Sequence, residues 1–322
     1  MFKLNFVPQN TKVNFVGYRR FSYPFSALLV VASIALFLVQ GLNFGIDFKG
    51  GFLIGVKTEG PADVSELRNT LGGLGLGEVQ VQEFGAPDDI LIRVQQQDGS
   101  EGEQAAVIAQ IKGALGSQVA EYRRTEFVGP TVGAELIESA IWAVVLAIGA
   151  ILIYIWFRFE WQFGVGAVIA LTHDVITTIG LFALTQLEFN LATVAAILTI
   201  AGYSINDTVV IYDRVREELR RYKKMDMDAL LNLSANRTLS RTFMTSVTTL
   251  IALTALAIFG GTIIRDFAFA MIWGVVIGTY SSVFIAVPVL LGLKLSRESL
   301  SAGLEEDGSS KDDKAAETPP EK

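Results

Sequence analysis

The chain has 322 residues, 51% of them hydrophobic, and its mean hydropathy is +0.44, values typical of a multi-spanning membrane protein. It has no cysteine and one histidine, which excludes disulfides and thiolate chemistry and argues against a zinc site. The net charge of −7 says little alone, because the charges are unevenly distributed along the chain.

The first 20 residues contain Lys3, Lys12, Arg19 and Arg20 and no acid, and an apolar run follows over residues 21–40. A basic head before an apolar run is also the pattern of a cleaved signal peptide. This run is longer than a typical signal core and ends at no small-x-small cleavage pattern. We therefore expect a cytoplasmic N-terminus, residues 1–20, and an uncleaved first transmembrane helix.

Residues 42–138 are predicted to form a soluble α+β domain, because the hydropathy falls and the segment contains 15 acidic and 7 basic residues. Short alternating apolar patterns indicate strands, and apolar residues at helical spacing indicate helices. The expected order is strand 52–56, helix 63–71, strand 78–84, a turn at 87–89, strand 90–94, helix 104–115 and strand 119–128. This βαββαβ order is that of the ferredoxin-like fold.

Five further apolar runs are each close to the ~20 residues that a membrane-spanning helix needs. They cover residues 139–157, 164–185, 190–212, 243–261 and 267–293. The predicted fold class is therefore an α-helical membrane protein. It has six transmembrane helices, with the ferredoxin-like domain between the first and the second.

The distribution of basic residues predicts the orientation. The connector over residues 213–242 carries eight basic and five acidic residues, and the N-terminus is also basic. The positive-inside rule places both on the cytoplasmic side and the 42–138 domain outside. Parts of the connector look helical, although a solvated loop made basic by topology fits as well. The tail, residues 296–322, has a composition typical of a disordered cytoplasmic segment.

The six runs contain two acids, Asp174 and Asp207. A carboxylate at membrane depth costs at least ~2.5–3.5 kcal/mol on insertion scales, so such a residue is a candidate functional group. On a helix, Thr199, Tyr203 and Asp207 share one face. The alternative is a structural Asp207 fixed in an ion pair.

Two other helices also carry polar stripes. His173 and Asp174 align with Thr177 and Thr178, and Arg237 and Arg241 lead into Thr245 and Thr248. Burying the three stripes against one another is the least costly arrangement in lipid. An Asp that approaches and leaves an Arg as helices move would alternately release and bind a proton. Arg241 could instead snorkel at its helix end, and His173 with Asp174 fits a satisfied polar pair as well as a proton relay.

Five motifs in order carry a resemblance to a known family. They are GIDFKGG at 45–51, GPTVG at 129–133, LTHDV at 171–175, GYSINDTVVIYDR at 202–214 and NRTLSRT at 236–242. On these motifs the chain resembles the SecF family of bacterial protein-export membrane proteins, within the RND superfamily, over its whole length except the tail. The Gly-rich 45–51 stretch fits neither GxGxxG nor the P-loop pattern.

The resemblance implies a multi-pass protein of the bacterial cytoplasmic (inner) membrane that supplies half of an RND-type helix bundle. Its implied partners are SecD, the SecYEG channel, YajC, the emerging secretory polypeptide and membrane lipid, without nucleic acid. Its implied function is to assist late steps of protein translocation with the proton-motive force, without enzymatic activity, cofactor or metal. The family's proton-conducting positions fall on Asp207 and Arg241, and Asp213 and Arg214 belong to the same motif at the cytosolic edge.

Two other functions remain open at this point. One is an RND-type exporter of small molecules or ions, against which the small external domain argues. The other is a structural scaffold in which Asp207 and Arg241 form a static pair. The residues also leave open whether the transported ion is a proton or sodium.

Overall fold

The structure consists of long apolar helices and a four-stranded α+β domain inserted after the first of them. It is a computed structural model that describes residues 11–77, 79–84, 86–95, 101–128, 130–293 and 295. The predictions that concern Lys3, Glu78, Gly129 and the tail lie outside the described residues.

Within the described part of the chain, six helices are long and apolar enough to cross a membrane, as the sequence predicts. The helices are α1 (Arg19–Gln40), α2 (Ile46–Lys49), α3 (Val64–Gly72), α4 (Glu101–Leu115), α5 (Pro130–Arg158), α6 (Trp161–Thr185), α7 (Leu191–Arg221), α8 (Met227–Phe259), α9 (Gly261–Ser281) and α10 (Val287–Gly292). A π-helical turn, Ser282–Ala286, joins α9 to α10, so these form one span.

Several helices extend beyond the apolar runs. The second apolar run begins at residue 139, whereas the corresponding helix α5 begins at Pro130. The fourth run ends at residue 212, whereas the corresponding helix α7 ends at Arg221. Because α8 begins at Met227, the 213–242 connector is helical except for residues 222–226. Hydropathy detects only the apolar part of a helix, and charged residues continue it through i,i+4 pairs such as Arg214–Glu218 at 2.7 Å.

The inserted domain has strands β1 (Gly51–Thr58), β2 (Val79–Phe84), β3 (Ala86–Gln95) and β4 (Val119–Val128). The sheet order is β2-β3-β1-β4, and all three pairings are antiparallel. Together with α3 and α4 this gives the predicted split βαβ arrangement. Alternate residues of β1, namely Phe52, Ile54 and Val56, are buried in the domain core with side chains from both helices.

The predicted hairpin turn at residues 87–89 is wrong, because these residues belong to β3. The ladder between β2 and β3 closes at Phe84 and Ala86, and pairing with β1 stops at Asp89. The β2–β3 register shifts between the Glu83–Ile90 and Phe84–Ala86 pairs, which leaves Pro87 without a partner in either ladder, so its missing N–H costs no hydrogen bond. Its carbonyl accepts a hydrogen bond from the Ala62 N–H at 3.0 Å.

The membrane helices divide into central and peripheral ones. In their most apolar stretches, 61% of residues in α6, 50% in α7 and 67% in the α9–α10 span are buried, against 17% in α1, 6% in α5 and 17% in α8. The two acids of the apolar runs lie on α6 and α7. The costly groups therefore lie on central helices.

The π-helical turn follows from Pro288. Proline lacks the N–H that would bond the carbonyl of Phe284, and its ring displaces that carbonyl. The Ser22 hydroxyl of α1 donates to the freed Phe284 oxygen at 3.0 Å. The Tyr212 hydroxyl of α7 donates to Ala286, in the same turn, at 3.0 Å. The irregular turn thus binds α1 and α7.

The segment before α1 is fixed along α8. The Asn236 side chain accepts from the Val13 N–H at 2.9 Å and donates to the Val13 carbonyl at 2.8 Å. One turn earlier, Asn232 accepts from the Val16 N–H at 3.0 Å. Val16 is fully buried. The start of the described chain and the α7–α8 hairpin therefore form one layer at the end of the bundle opposite the sheet domain.

Gly133 is predicted to tolerate no side chain. A Cβ at this position on α5 would overlap the carbonyl oxygen of Phe48 in α2, which is backbone and has no rotamer to change. We expect Gly133→Ala to destabilise the protein by about 1–3 kcal/mol, the usual range for overpacking. The measurement is the thermal unfolding midpoint in detergent.

The matched control is Gly149→Ala in the same helix, where a Cβ meets nothing within 4 Å. Equal midpoints for the two variants would contradict the close approach of α2 to α5.

Candidate functional site

Asp174 joins three helices at the centre of the bundle. Its Oδ2 accepts hydrogen bonds from Ser204 of α7 and Ser281 of α9, each at 2.6 Å. Its Oδ1 lies 3.0 Å from Nδ1 of His173. The side chain is fully buried. A buried carboxylate needs donors on both oxygens, and this one has them.

Small residues let α9 come close enough for this arrangement. A Cβ on Gly278 would lie 3.0 Å from the Cβ of Ser204, and one on Gly274 would overlap Ile200. Ser282 and Thr208 add a hydroxyl pair at 2.8 Å between the same helices. Close helix approach at small residues, joined by side-chain hydrogen bonds, is the usual packing device in membranes. The Asp174 network thus fixes α7 one turn before Asp207.

Asp207 is also buried, but it is not satisfied in this way. Its exposed fraction is 4%, and its Oδ2 has no hydrogen-bond partner among the described residues. Two other buried oxygens nearby share this property. They are the Tyr203 hydroxyl, one turn earlier on α7, and the Thr242 hydroxyl on the adjoining α8. The seam between α7 and α8 therefore contains a carboxylate and two hydroxyls without partners in the described part of the chain.

Arg241 lies across this seam on α8. Its guanidinium acts on Asp207 electrostatically, but the described residues show no salt bridge between the two. Arg241 is exposed on the outside of the bundle, and so are Thr248 on α8 and Asn206 on α7.

The expectation that all three polar stripes would bury against one another is wrong for the α8 stripe from Arg241 onward, whereas Arg237 contacts Glu218 of α7. The stripes of α6 and α7 meet at Asp174 and Ser204, whereas Thr245 and Thr248 bond carbonyls of their own helix. The reason is that α8 is peripheral in this chain, which leaves one of its faces uncovered.

Asp213 and Arg214 lie away from Asp207, in ion pairs at the basic end of the bundle. Asp213 pairs with Arg158 at 2.8 Å. Arg214 pairs with Glu218, which also binds Arg237 and is fully buried. These contacts hold the charged ends of α7 and α8 together.

His173 has one satisfied nitrogen and one without a partner. Nδ1 contacts Asp174, while the buried Nε2 makes no hydrogen bond among the described residues. The ring lies 6.1 Å from that of Tyr280, whose hydroxyl is 2.9 Å from the Ser26 hydroxyl. His173 therefore sits between the Asp174 network and the polar face of α1.

Two residues of these networks, Ser281 and Glu218, are not predicted from the sequence. Ser281 lies in an apolar run and carries no charge, so nothing local marks it as a ligand of Asp174. Glu218 had a usable signal, because it stands four residues after Arg214 on a helix. Treating the connector as a possible loop hid that spacing.

The fold and site together define a polytopic α-helical membrane protein with an inserted ferredoxin-like domain and buried carboxylates in its helix bundle. The sequence matches the family described as "Protein export membrane protein SecD/SecF, C-terminal" over residues 108–296 and the SecD/SecF GG motif over residues 35–62. The chain belongs to the SecD/SecF family of protein-export membrane proteins, as the five motifs indicate.

Its relatives agree on the SecF branch of that family. Protein translocase subunit SecF of Rickettsia rickettsii is 46% identical over 295 residues, which cover 90% of this chain and 94% of the relative. The SecF subunit of Cereibacter sphaeroides is 47% identical over 304 residues, covering 92% and 94% of the two chains.

Two solved structures are similar in fold. One is the crystal structure of SecDF from Thermus thermophilus, described as a translocon-associated membrane protein, with a TM-score of 0.74 and 35% sequence identity. The match covers 89% of this chain and 39% of that chain. SecDF in its super-membrane-facing form has a TM-score of 0.69, 34% identity and coverage of 92% of this chain and 40% of that one. This chain thus spans about two-fifths of those SecDF chains.

The two buried acids are predicted to affect stability differently. Asp174→Leu leaves the Ser204 hydroxyl and His173 Nδ1 without their partner, and each buried unsatisfied group costs about 1–3 kcal/mol. Asp207→Leu removes a carboxylate with an unbonded oxygen and replaces it with an apolar group of similar size. We expect a lower unfolding midpoint for Asp174→Leu and an unchanged or higher one for Asp207→Leu.

The measurement is thermal unfolding of both variants in the same detergent. A comparable loss in the Asp207 variant would mean that its carboxylate is a structural group like that of Asp174.

Proposed function

We propose that the chain is the SecF-like subunit of a SecDF complex, which uses the proton-motive force to assist late steps of Sec-dependent protein translocation. The observation that carries this proposal is the buried carboxylate of Asp207, whose Oδ2 has no hydrogen-bond partner among the described residues, across from Arg241, which forms no salt bridge with it there. Its relatives are translocase subunits, which supports a role in protein export.

The contrast between Asp174 and Asp207 supports the assignment of proton conduction to Asp207. A carboxylate with donors on both oxygens has little reason to change its protonation state. A carboxylate that lacks them can bind a proton when it is far from a cation and release it when the cation approaches. Asp207 and Arg241 interact electrostatically but form no salt bridge among the described residues, so a small helix displacement changes the strength of this electrostatic interaction.

The uncovered face of α7 and α8 supports pairing with SecD. Asn206, Thr248 and Arg241 are exposed on the outside of membrane-spanning helices. Polar and charged side chains that face lipid are costly, so this face favours contact with helices of a partner that also carry polar groups. Half of a two-part bundle would present such a face to its other half.

Proton flow supplies energy in small steps. One proton moving down ~100 mV yields about 2.3 kcal/mol. Each pH unit across the membrane adds about 1.36 kcal/mol. These amounts suffice to bias a conformational equilibrium, and repeated cycles are needed to move a polypeptide. SecYEG, YajC and the emerging polypeptide belong to the same proposal as partners.

The arrangement of the two ends supports an inner-membrane protein with a cytoplasmic N-terminus. The segment before α1 lies against the Arg-rich ends of α7 and α8, whereas the sheet domain contacts the loop between α6 and α7. The positive-inside rule assigns the first end to the cytoplasm and the domain to the outside.

Asp207→Asn is predicted to abolish translocation that depends on an imposed proton gradient, because the amide cannot bind and release a proton. The measurement is protection of a secretory polypeptide inside vesicles containing the complex with SecD, with proton uptake followed in parallel. The matched control is Glu217→Gln, an exposed acid of the same helix, which should retain both activities.

Normal gradient-driven translocation by the Asp207→Asn complex would rule out the proposal. A sodium-dependent current that is insensitive to pH would identify sodium as the coupling ion. Drug hypersensitivity with normal secretion in a deletion strain would instead favour an exporter.

A further inference from the structure

The loop between α6 and α7 is bound to the segment that leaves α1 toward the sheet domain. The Gly45 N–H donates to the Phe189 carbonyl at 3.0 Å, and the Phe189 N–H donates to the Asn43 carbonyl at 2.7 Å. The Asn43 side chain also donates to the Gln186 carbonyl at 3.1 Å. The two segments are therefore held by backbone hydrogen bonds on both sides of Phe189.

Aromatic packing strengthens this junction. The ring of Phe189 lies 5.8 Å from Phe44, 6.1 Å from Phe48 and 5.7 Å from Phe182. Edge-to-face and tilted pairs at these separations are favourable beyond the area they bury. Three separate segments share this cluster: the end of α6, the loop between α6 and α7, and the segment between α1 and β1, residues 41–50, which we call the domain stem.

The beginning of α7 is held from the domain stem as well. The Asp47 carboxylate in α2 accepts a hydrogen bond from the Leu191 N–H at 3.1 Å. Leu191 is the first residue of α7 and Asp207 lies 16 positions further along an unbroken helix, about 24 Å at ~1.5 Å per residue. A displacement of the loop therefore moves the α7 helix that carries Asp207.

One ion pair connects this loop to the sheet itself. Arg93 of β3 lies 3.3 Å from Glu188, and each side chain is 11% exposed. Ile92 and Val94 point into the domain core, so Arg93 projects from the opposite sheet face. Gln80, its cross-strand neighbour on β2, also hydrogen-bonds Glu188. The sheet therefore contacts the loop directly through Arg93 and Gln80, in addition to the contacts that the domain stem makes with the loop.

We propose that the Arg93–Glu188 pair is the coupling contact that transmits movement between the external sheet domain and α7. The inference rests on the proposed function, because it concerns how proton binding at Asp207 would be linked to movement of the domain. It requires the contact to remain formed while the domain moves, so that loop and sheet move as one body.

Electrostatics separates this role from simple stabilisation. Burial raises the pKa of the Glu188 carboxyl above its ordinary value of 4.5, Arg93 opposes the rise, and Asp47 and Asp266 add to it. A raised pKa means that the fold disfavours the ionised form. The contribution of Glu188 to stability is therefore largest below its ordinary pKa and falls as pH rises through the raised value.

Glu188→Gln is accordingly predicted to be at least as stable as the unchanged protein at neutral pH, with the difference disappearing in acid. The measurement is the unfolding midpoint of both proteins from about pH 4 to about pH 8, a range that brackets carboxyl titration. A large loss of stability at neutral pH would mean that the ion pair serves mainly to hold the fold.

The coupling role is tested in vesicles that contain the complex with SecD. We expect Glu188→Gln and Arg93→Gln to retain Asp207-dependent proton uptake but to lose most gradient-driven translocation. The exchanged pair, Arg93→Glu with Glu188→Arg, should recover much of it. The control is Asp89→Asn, which removes an ion pair with Arg123 inside the sheet and no contact with the loop.

A second measurement uses the absence of cysteine from the chain. Arg93→Cys with Glu188→Cys, joined by a short bifunctional thiol reagent, should recover translocation relative to the same protein without the reagent. Recovery by either route supports the coupling role.

Full translocation in both single Gln variants would overturn the inference, and so would a joined pair that blocks it. The failure of the wider proposal would look different, since Asp207→Asn would then translocate normally. If Asp207→Asn is inactive and Glu188→Gln is fully active, the coupling inference alone is wrong.

Discussion

In the core of a bilayer a carboxylate has no water to bind, so its hydrogen bonds must come from other helices. Asp174 meets this constraint with hydroxyls from α7 and α9 and an imidazole from its own helix. Those bonds, and the glycines that let α9 approach, fix the relative positions of the three central helices. The position of Asp207 in the bundle depends on this packing, because Ser204 stands one turn before it.

In contrast to the Asp174 network, the seam between α7 and α8 contains buried polar groups whose hydrogen bonds are not satisfied among the described residues. Asp207, Tyr203 and Thr242 carry buried oxygens without partners in the described part of the chain, and Arg241 is exposed beside them. A fully satisfied network resists changes of charge, whereas a group held near a cation without contacting it responds to small movements. The same helix therefore combines a fixed anchor with a responsive group.

The two ends of α7 are held by different means. At the end near the sheet domain, backbone bonds, phenylalanine rings and the Arg93–Glu188 pair connect it to that domain. At the opposite end, buried Glu218 binds two arginines and the α8 extension contacts the N-terminal segment. A helix held at both ends moves as a unit, which is what the proposed link between ion binding and polypeptide movement requires.

The sequence alone determined the number of spans, the soluble domain with its strand order and the two costly acids, because hydropathy, alternation and charge are local properties. Helix ends were missed where charged residues such as Arg214 and Glu218 continue a helix beyond its apolar part. Only the tertiary structure distinguished Asp174 from Asp207. Both are acids in apolar runs, and the difference lies in hydroxyls supplied by Ser204 and by Ser281, 107 positions away from Asp174. The Arg93–Glu188 contact was hidden for the same reason, since it joins residues 95 positions apart whose meeting depends on how the domain packs on the bundle.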